Sequence, residues 1–166
     1  VNGLPVRVGT PTKVGNEPNG VVLMPDGSRA YVANTIDGTV SVLAVDTTAD
    51  PPARAINPRI KVGTEPYGLA LTPNGTRLYV TNSRSNTVTV ISTRTNTVVK
   101  TIRVGPEPRG IAITNDGDDS DTDETVYVTQ FLALPVAGKV EGADDAKAGH
   151  VTVISAGTDT ATADVR

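Results

Sequence analysis

The 166-residue sequence predicts an all-β fold built from one unit that is repeated three times. A seven-residue segment of the form Val-Gly-x-Glu-Pro-x-Gly, here called the frame, occurs at residues 14–20, 62–68 and 104–110. Each frame leads into short runs rich in Val, Thr and Tyr, which are residues that strands favour. The apolar period of three to four residues that is typical of helices does not occur in the sequence. We therefore expect strands and essentially no helix.

The middle copy shows the order of the elements most clearly. After its frame, the sequence predicts strands at 68–71, 77–82, 87–91 and 97–102. The first two strands are joined at Asn74-Gly75, a pair that supplies the positive backbone angles of tight hairpins. The corresponding strands are expected at 21–23, 29–34 and 39–43 in the first copy, and at 111–113, 126–130 and 150–154 in the third. Each copy is thus an antiparallel unit of four strands.

The spacing of the copies indicates the architecture. The glycines that end the second and third frames are 42 residues apart, and the first spacing is longer because of six extra residues around Asp50-Pro51-Pro52. Four strands in about 40 to 50 residues is the size of one β-propeller blade. The sequence therefore predicts blades at 14–61, 62–103 and 104–166, with residues 1–13 as the outer strand of a preceding blade.

The second strands carry a recurrent signature at Tyr31–Asn34, Tyr79–Asn82 and Tyr127–Gln130. This signature resembles that of the YVTN-family β-propeller repeat, and the resemblance covers nearly the whole chain. It implies a bacterial or archaeal protein that is secreted, periplasmic or at the cell surface, as surface-layer proteins are. Similar propellers occur in lactonases and in domains attached to redox proteins. The third copy departs from the signature by ending in Gln130, which casts no doubt on the blade.

Three blades do not make the usual ring, because closed propellers normally have four to eight. The chain is thus expected to be part of a ring of six or seven blades, or a half-ring that closes with another copy or another chain. The first interpretation is favoured because Leu4–Val8 resembles an outer strand, and because neither end has the polar cap of a finished repeat array. The expected partners are the remaining blades of the same protein or another copy of the chain.

Composition excludes several function classes. The net charge of −3 is spread without a basic stripe, so nucleic acid is not an expected partner. Membrane insertion is not expected either, because no apolar run approaches the roughly 20 residues of a spanning helix. Without cysteine, thiolate metal sites and cysteine nucleophiles are excluded, and the single histidine, His150, cannot build a multi-histidine metal site.

Candidate binding residues lie in the frames and after the third signature. The residue before the last frame glycine varies between Asn19, Tyr67 and Arg109, and an amide, a phenol and a guanidinium suit an anionic or hydroxylated ligand. The alternative is an exposed loop position that tolerates any residue. An insertion of about fifteen residues begins at Phe131 and Leu132, and it is expected either to dock a partner domain or to pack on its own blade.

A candidate calcium site lies in the first hairpin of the third copy. Asp119, Asp121 and Asp123 place carboxylates at every second residue, as the opening of a calcium loop does. The expected glycine is replaced by Glu124, so a solvated acidic loop is the alternative. No other cofactor is indicated.

The sequence therefore favours a non-catalytic, extracytoplasmic binding module that uses the face carrying the frames. No Gly-x-Ser-x-Gly nucleophile turn is present in the sequence. The alternative is a lactonase-like or redox-associated propeller enzyme with a carboxylate and amide metal site in its channel. That alternative predicts that Glu17, Glu65 and Glu107, or neighbouring amides, converge on a metal; dispersed and hydrogen-bonded carboxylates would reject it. The otherwise expected duty of these glutamates is to cap loop amides.

Overall fold

In a computed structural model, residues 9–118 and 120–165 are described, and they form three four-stranded antiparallel sheets. The predicted all-β fold of propeller blades is thereby confirmed. Within the described ranges there is no helix, and accordingly none that is long and apolar enough to cross a membrane. The strand expected at Leu4–Val8 lies outside the described residues.

The strands follow the predicted order. Blade one contains β1 (Pro18–Leu23), β2 (Arg29–Asn34), β3 (Thr39–Val45) and β4 (Ala53–Lys61). Blade two contains β5 (Pro66–Leu71), β6 (Arg77–Asn82), β7 (Thr87–Ser92) and β8 (Thr97–Arg103). Blade three contains β9 (Pro108–Ile113), β10 (Thr125–Gln130), β13 (Val151–Ser155) and β14 (Thr160–Val165). Its insertion forms a small separate hairpin of β11 (Leu134–Pro135) and β12 (Lys147–Ala148).

The first strand of each blade begins earlier than predicted, inside the frame. Pro18, Pro66 and Pro108 pair with the last residue of the second strand, and the register then shifts before pairing resumes. Such a shift is a β-bulge, which lets the chain bend sharply within the sheet. The bulge explains why an alternation pattern alone placed the strand start two or three residues too late.

The first strands are innermost. β1 contacts β5 and β5 contacts β9 extensively, whereas the fourth strands β4, β8 and β14 make few contacts with one another. The approach requires glycine, since a Cβ on Gly68 would lie 2.2 Å from the main-chain oxygen of Arg109. The three blades therefore converge at their first strands and splay apart at their fourth, as propeller blades do around an axis.

The core lies between the blades. The face of a blade that packs on the next blade along the chain is here called its trailing face. In blade one it carries Tyr31, Val40, Val42 and Ile60, and in blade two Tyr79, Val88, Val90 and Ile102. All eight side chains are buried. The opposite partners are aliphatic residues of the following blade, such as Leu69 and Leu78 or Ile111 and Val126.

A polar contact accompanies each apolar interface. The hydroxyl of Tyr31 donates to Asn96 Oδ1 at 2.9 Å, and that of Tyr79 donates to Asp159 Oδ1 at 2.5 Å. Asn96 and Asp159 occupy the same place, the last turn residue before the fourth strand of the following blade. Both have left-handed backbone angles, with φ of 55° and 50°. We call this contact the tyrosine latch.

Candidate functional site

The frames and the turns between second and third strands lie on one face, here called the frame-loop face. In every blade the main-chain oxygen of the frame glutamate accepts the N–H of the residue that follows the second strand: Thr35 at 3.0 Å, Ser83 at 2.8 Å and Phe131 at 2.9 Å. The glutamates Glu17, Glu65 and Glu107 all have φ between 48° and 54°, which is rare for a residue other than glycine. Their shared duty is thus carried by the backbone, and not by side-chain caps as expected.

The signature amides fix the frames to the blades. Asn34 Oδ1 accepts the N–H of Gly15 at 2.9 Å, and Asn82 Oδ1 accepts that of Gly63 at 3.1 Å. Gln130 is longer and donates instead to Thr152 Oγ1 at 3.1 Å. These buried amides therefore hold backbone, in keeping with the structural role that the sequence suggested for them.

Three of the predicted binding residues meet on the frame-loop face. The guanidinium carbon of Arg109 lies 3.7 Å from the ring centroid of Phe131 and 5.3 Å from that of Tyr67. Both distances are within the range of a cation–π interaction. Tyr67 and Arg109 come from adjacent inner strands, and Phe131 is placed by its bond to the third frame. The arginine is therefore held between two aromatic rings.

Charged side chains complete this cluster. Glu107 Oε2 lies 3.4 Å from Nη2 of Arg109, and Glu107 Oε1 lies 3.8 Å from Nη1 of Arg84. Sequence reasoning missed both Arg84 and the side-chain role of Glu107, because Arg84 lies in a turn of the preceding blade. We call Tyr67, Arg84, Glu107, Arg109 and Phe131 the arginine cluster.

A cleft of about 320 Å³ opens beside the arginine cluster. It is lined by Arg84, Asn86, Pro106, Glu107 and Leu132. Phe131 and Leu132 are 61 % and 45 % exposed, so the start of the insertion presents apolar surface next to the two guanidinium groups. The cleft thus combines positive charge, one carboxylate and apolar surface.

Asn19 is not part of this cluster. It is exposed on β1 and makes no side-chain hydrogen bond with the residues that the structure describes. The variable frame position therefore gives two residues of one site and a third residue on the neighbouring inner strand.

The predicted calcium residues are divided. Asp119 lies outside the described residues. Asp121 is buried, and its carboxylate accepts four hydrogen bonds from Thr72, Asn74 and Thr76 of blade two. Asp123 instead lies near Asp116 and Asp118, all exposed, with carboxylate oxygens within 4.8 Å of one another. Asp121 therefore joins two blades, and calcium binding by this loop stays a prediction.

Asp121 has a perturbed acidity. Burial alone would raise the pKa of its carboxyl, but the hydrogen bonds from Thr76, Asn74 and Thr72 outweigh burial and hold that pKa below its ordinary value. The carboxylate is thus ionised in the folded protein at neutral pH.

The frame glutamates do not form a shared metal group. Within residues 9–118 and 120–165, the one group of three acidic or histidine side chains close enough to hold a metal is that of Asp116, Asp118 and Asp123. His150 is buried at the start of β13, with Nδ1 3.7 Å from Oδ2 of Asp164. The convergence that the enzyme alternative requires is therefore absent from the described part of the chain.

A family model described as YNCE-like beta-propeller matches residues 13–119 of the sequence. No curated protein matches it. Among solved structures, hydrazine synthase of Kuenenia stuttgartiensis is 25 % identical with a TM-score of 0.67, covering 89 % of this chain and 36 % of its own.

Two further solved structures show the fold alone. A 6-phosphogluconolactonase-like protein of Bacteroides fragilis NCTC 9343 is 23 % identical with a TM-score of 0.64, covering 92 % of this chain and 38 % of its own. A functionally unknown protein of Desulfotomaculum acetoxidans DSM 771 is 18 % identical with a TM-score of 0.58, covering 91 % and 43 %. The chain thus spans less than half the length of each of these three structures.

Proposed function

This chain belongs to the YNCE-like beta-propeller family, and we propose that it acts as a non-catalytic binding module whose ligand or partner docks on the frame-loop face. The family carries the fold, and the arginine cluster carries the proposal, since a fold alone does not specify an activity. The observation that supports it most directly is the guanidinium of Arg109 held between Tyr67 and Phe131.

The arrangement of the cluster favours recognition over structure alone. A guanidinium clamped between rings is preorganised, so little side-chain entropy is lost when it binds a ligand. Phe131 remains largely exposed although it stacks on Arg109, so its outer side is open to a binding partner. Arginine and aromatic residues are also the side chains that contribute most to binding in protein interfaces.

The cleft indicates the chemistry of the bound group. Arg84 is 68 % exposed in its side chain and paired with Glu107 only at 3.8 Å, so an incoming anion can displace that weak contact. Leu132 and Phe131 would then cover an apolar part of the same ligand. We therefore propose an anionic ligand group, from a small polyhydroxy acid or from an acidic peptide, that carries adjacent apolar surface.

Catalysis has less support in this part of the chain. The lactonase-like alternative needs carboxylates that converge on a metal, and Glu17, Glu65 and Glu107 serve through their main-chain oxygens in separate frames. The 6-phosphogluconolactonase-like structure supports the fold only, because it is 23 % identical. We therefore keep binding as the proposed activity.

Calorimetric titration of the chain with 6-phosphogluconate, and separately with an acidic peptide containing one phenylalanine, tests the proposal. We expect one of the two probes to bind and its affinity to fall about tenfold or more in Arg84→Gln and Phe131→Ser. Arg94→Gln is the matched control, because Arg94 is an exposed residue of the turn between β7 and β8, outside the arginine cluster. Binding of neither probe, or equal binding by all variants, contradicts the proposed site.

Two further proposals concern context. On the resemblance of the Tyr-Val-x-Asn signatures, we propose that the module works outside the cytoplasm, which fractionation of producing cells tests. We also propose that its three blades work within a closed ring, completed by further blades of the same protein or by another copy, because closed propellers normally have four to eight blades.

A further inference from the structure

The trailing face of blade three carries the same residues as the two trailing faces that are buried inside the chain. Strand register makes Tyr127, Val151, Val153 and Val165 equivalent to Tyr79, Val88, Val90 and Ile102. In blades one and two the tyrosine of this set is fully buried, at 0 % exposure. Here Tyr127 is 43 % and Val165 53 % exposed, and the two valines between them are half-buried. The face is built for contact.

The polar half of the interface is also open on blade three. Tyr31 and Tyr79 each donate their hydroxyl to a left-handed Asn or Asp in the following blade. The hydroxyl of Tyr127 makes no hydrogen bond with the described residues, although its ring stands at the same place in the second strand. One donor and one apolar surface are thus presented together.

We propose that the trailing face of blade three docks a further four-stranded blade of this same repeat, and that Tyr127 donates its hydroxyl to that blade. The partner is defined by chemistry that the chain uses twice. Its first strand supplies aliphatic residues at alternate positions, as Leu69 and Leu71 or Ile111 and Ile113 do. Its last turn residue before the fourth strand is an Asn or Asp in the left-handed conformation. This inference does not depend on the arginine cluster.

A second copy of this chain does not fit the description. The blade that it would offer is blade one, whose corresponding turn is longer and ends in Pro52 before β4. This turn contains no Asn or Asp with positive φ. Residues just before the first frame also lie against this blade, where Thr10 donates its N–H to Asp50 and Arg59 donates to the main-chain oxygen of Val14. Blade one therefore lacks the acceptor that Tyr127 needs.

The test extends the full chain after Arg166 by a second copy of residues 62–103. This junction keeps the repeat in register, because Asp164 and Val165 stand where Thr101 and Ile102 stand before the third frame. Nitration by tetranitromethane, followed residue by residue by mass spectrometry, reports whether each tyrosine is accessible. We expect Tyr127 to react readily in the chain itself and about tenfold more slowly or less in the extended chain.

Matched controls make the result specific. In a second extended chain, the appended copies of Leu69 and Leu71 are replaced by Asp, which prevents packing, and Tyr127 should react as in the unextended chain. Tyr31 and Tyr79 should stay protected in all three chains, because they are buried. Replacing the appended copy of Asn96 by Ala should restore part of the reactivity.

Two results would overturn the proposal. One is equal nitration of Tyr127 in the unextended and extended chains while the appended blade is folded, as judged by circular dichroism. The other is self-association of the unextended chain, measured by analytical ultracentrifugation, that protects Tyr127. That outcome would assign the face to a second copy.

Discussion

Tyr79, Asp159 and Arg77 form a buried polar link between blades two and three. Asp159 accepts the tyrosine hydroxyl at 2.5 Å and lies 3.1 Å from the guanidinium of Arg77. Burial and the contact with Asp159 raise the pKa of Tyr79, so its hydroxyl stays protonated and remains a donor. Because both partners are buried, loss of either one leaves a polar group without its hydrogen bond.

Asp159→Ala is therefore expected to lower the free energy of unfolding by about 2 to 3 kcal/mol. Asp159→Asn keeps an acceptor and tolerates the left-handed backbone, as Asn96 does in blade two, and should cost less than about 1 kcal/mol. Urea unfolding followed by circular dichroism measures both values. An equal loss in the two variants would show that the hydrogen bond to Tyr79 contributes nothing beyond the charge.

Glu65 and Glu107 separate a backbone duty from a side-chain duty at the same frame position. Both have positive φ, but the side chain of Glu107 contacts two arginines. Glu65→Gly should change the free energy of unfolding by less than about 1 kcal/mol, since glycine relieves left-handed strain and loses chain entropy. Glu65→Val should destabilise by about 2 kcal/mol, because a branched side chain is strained there. Thermal unfolding checks the order of the two variants.

At this scale the sequence predicted positions better than partners. Tyr67 and Arg109 stood out because they vary within a constant frame, and Phe131 because it is the only phenylalanine. Asp121 was assigned to calcium from its spacing, whereas its partners lie in the neighbouring hairpin about 45 residues away in sequence. Spacing within one loop does not report which loop lies opposite.

Among the elements, the connection between β9 and β10 does more than join two strands. Through Asp121 it takes up main-chain and hydroxyl donors of the hairpin between β5 and β6, so that blades two and three are linked on the side away from the frames. The frames and this connection therefore hold the same interface from both of its ends.

The stability of this link should depend on pH. The folded-state pKa of Asp121 lies below its ordinary value of 3.8, so its stabilising contribution is present above about pH 4 and is lost as the pH falls through the folded-state pKa. Asp121→Asn should lower the free energy of unfolding by about 2 kcal/mol at pH 7, and this deficit should shrink below pH 4. Urea midpoints of both chains between pH 2 and 7 test the trend. A deficit independent of pH would contradict the ionised carboxylate as its cause.

Strand order and type followed from the sequence because β-branched runs and Asn-Gly or Asp-Gly turns repeat with the frame. The strand starts did not, because a bulge at Pro18, Pro66 and Pro108 interrupts the alternation on which such a prediction depends. The insertion was located correctly, but its short hairpin of β11 and β12 has only two residues in each strand, too few for a pattern.

In the whole molecule, the three blades differ in how well they are covered. Blade two is packed on both faces, while blade three exposes its trailing face and blade one exposes Val21 and Leu23 of its first strand. Amide hydrogen exchange should therefore be slowest in β6 and β7, and fastest among the strands in β14. Exchange that is uniform across the three blades would show instead that they open as a single unit.

The repeat length gave the architecture, since a 42-residue period with four strands suits few folds. The polar contacts between blades were not predictable in the same way. Asn96 and Asp159 lie in turns that read as ordinary loop, and their role appears only when the second strand of the preceding blade is placed beside them.

The tyrosine latch gives the array a direction. Each blade donates forward and accepts from behind, so a duplicated stretch of 42 residues brings both the donor and the acceptor that its new neighbours require. Such an array can grow in evolution by unequal recombination without inventing a contact. Blade one, whose turn ends in Pro52, breaks this rule. Its place behind another blade would have to be secured by different chemistry, so shuffling would tolerate copies of blades two and three more readily than copies of blade one.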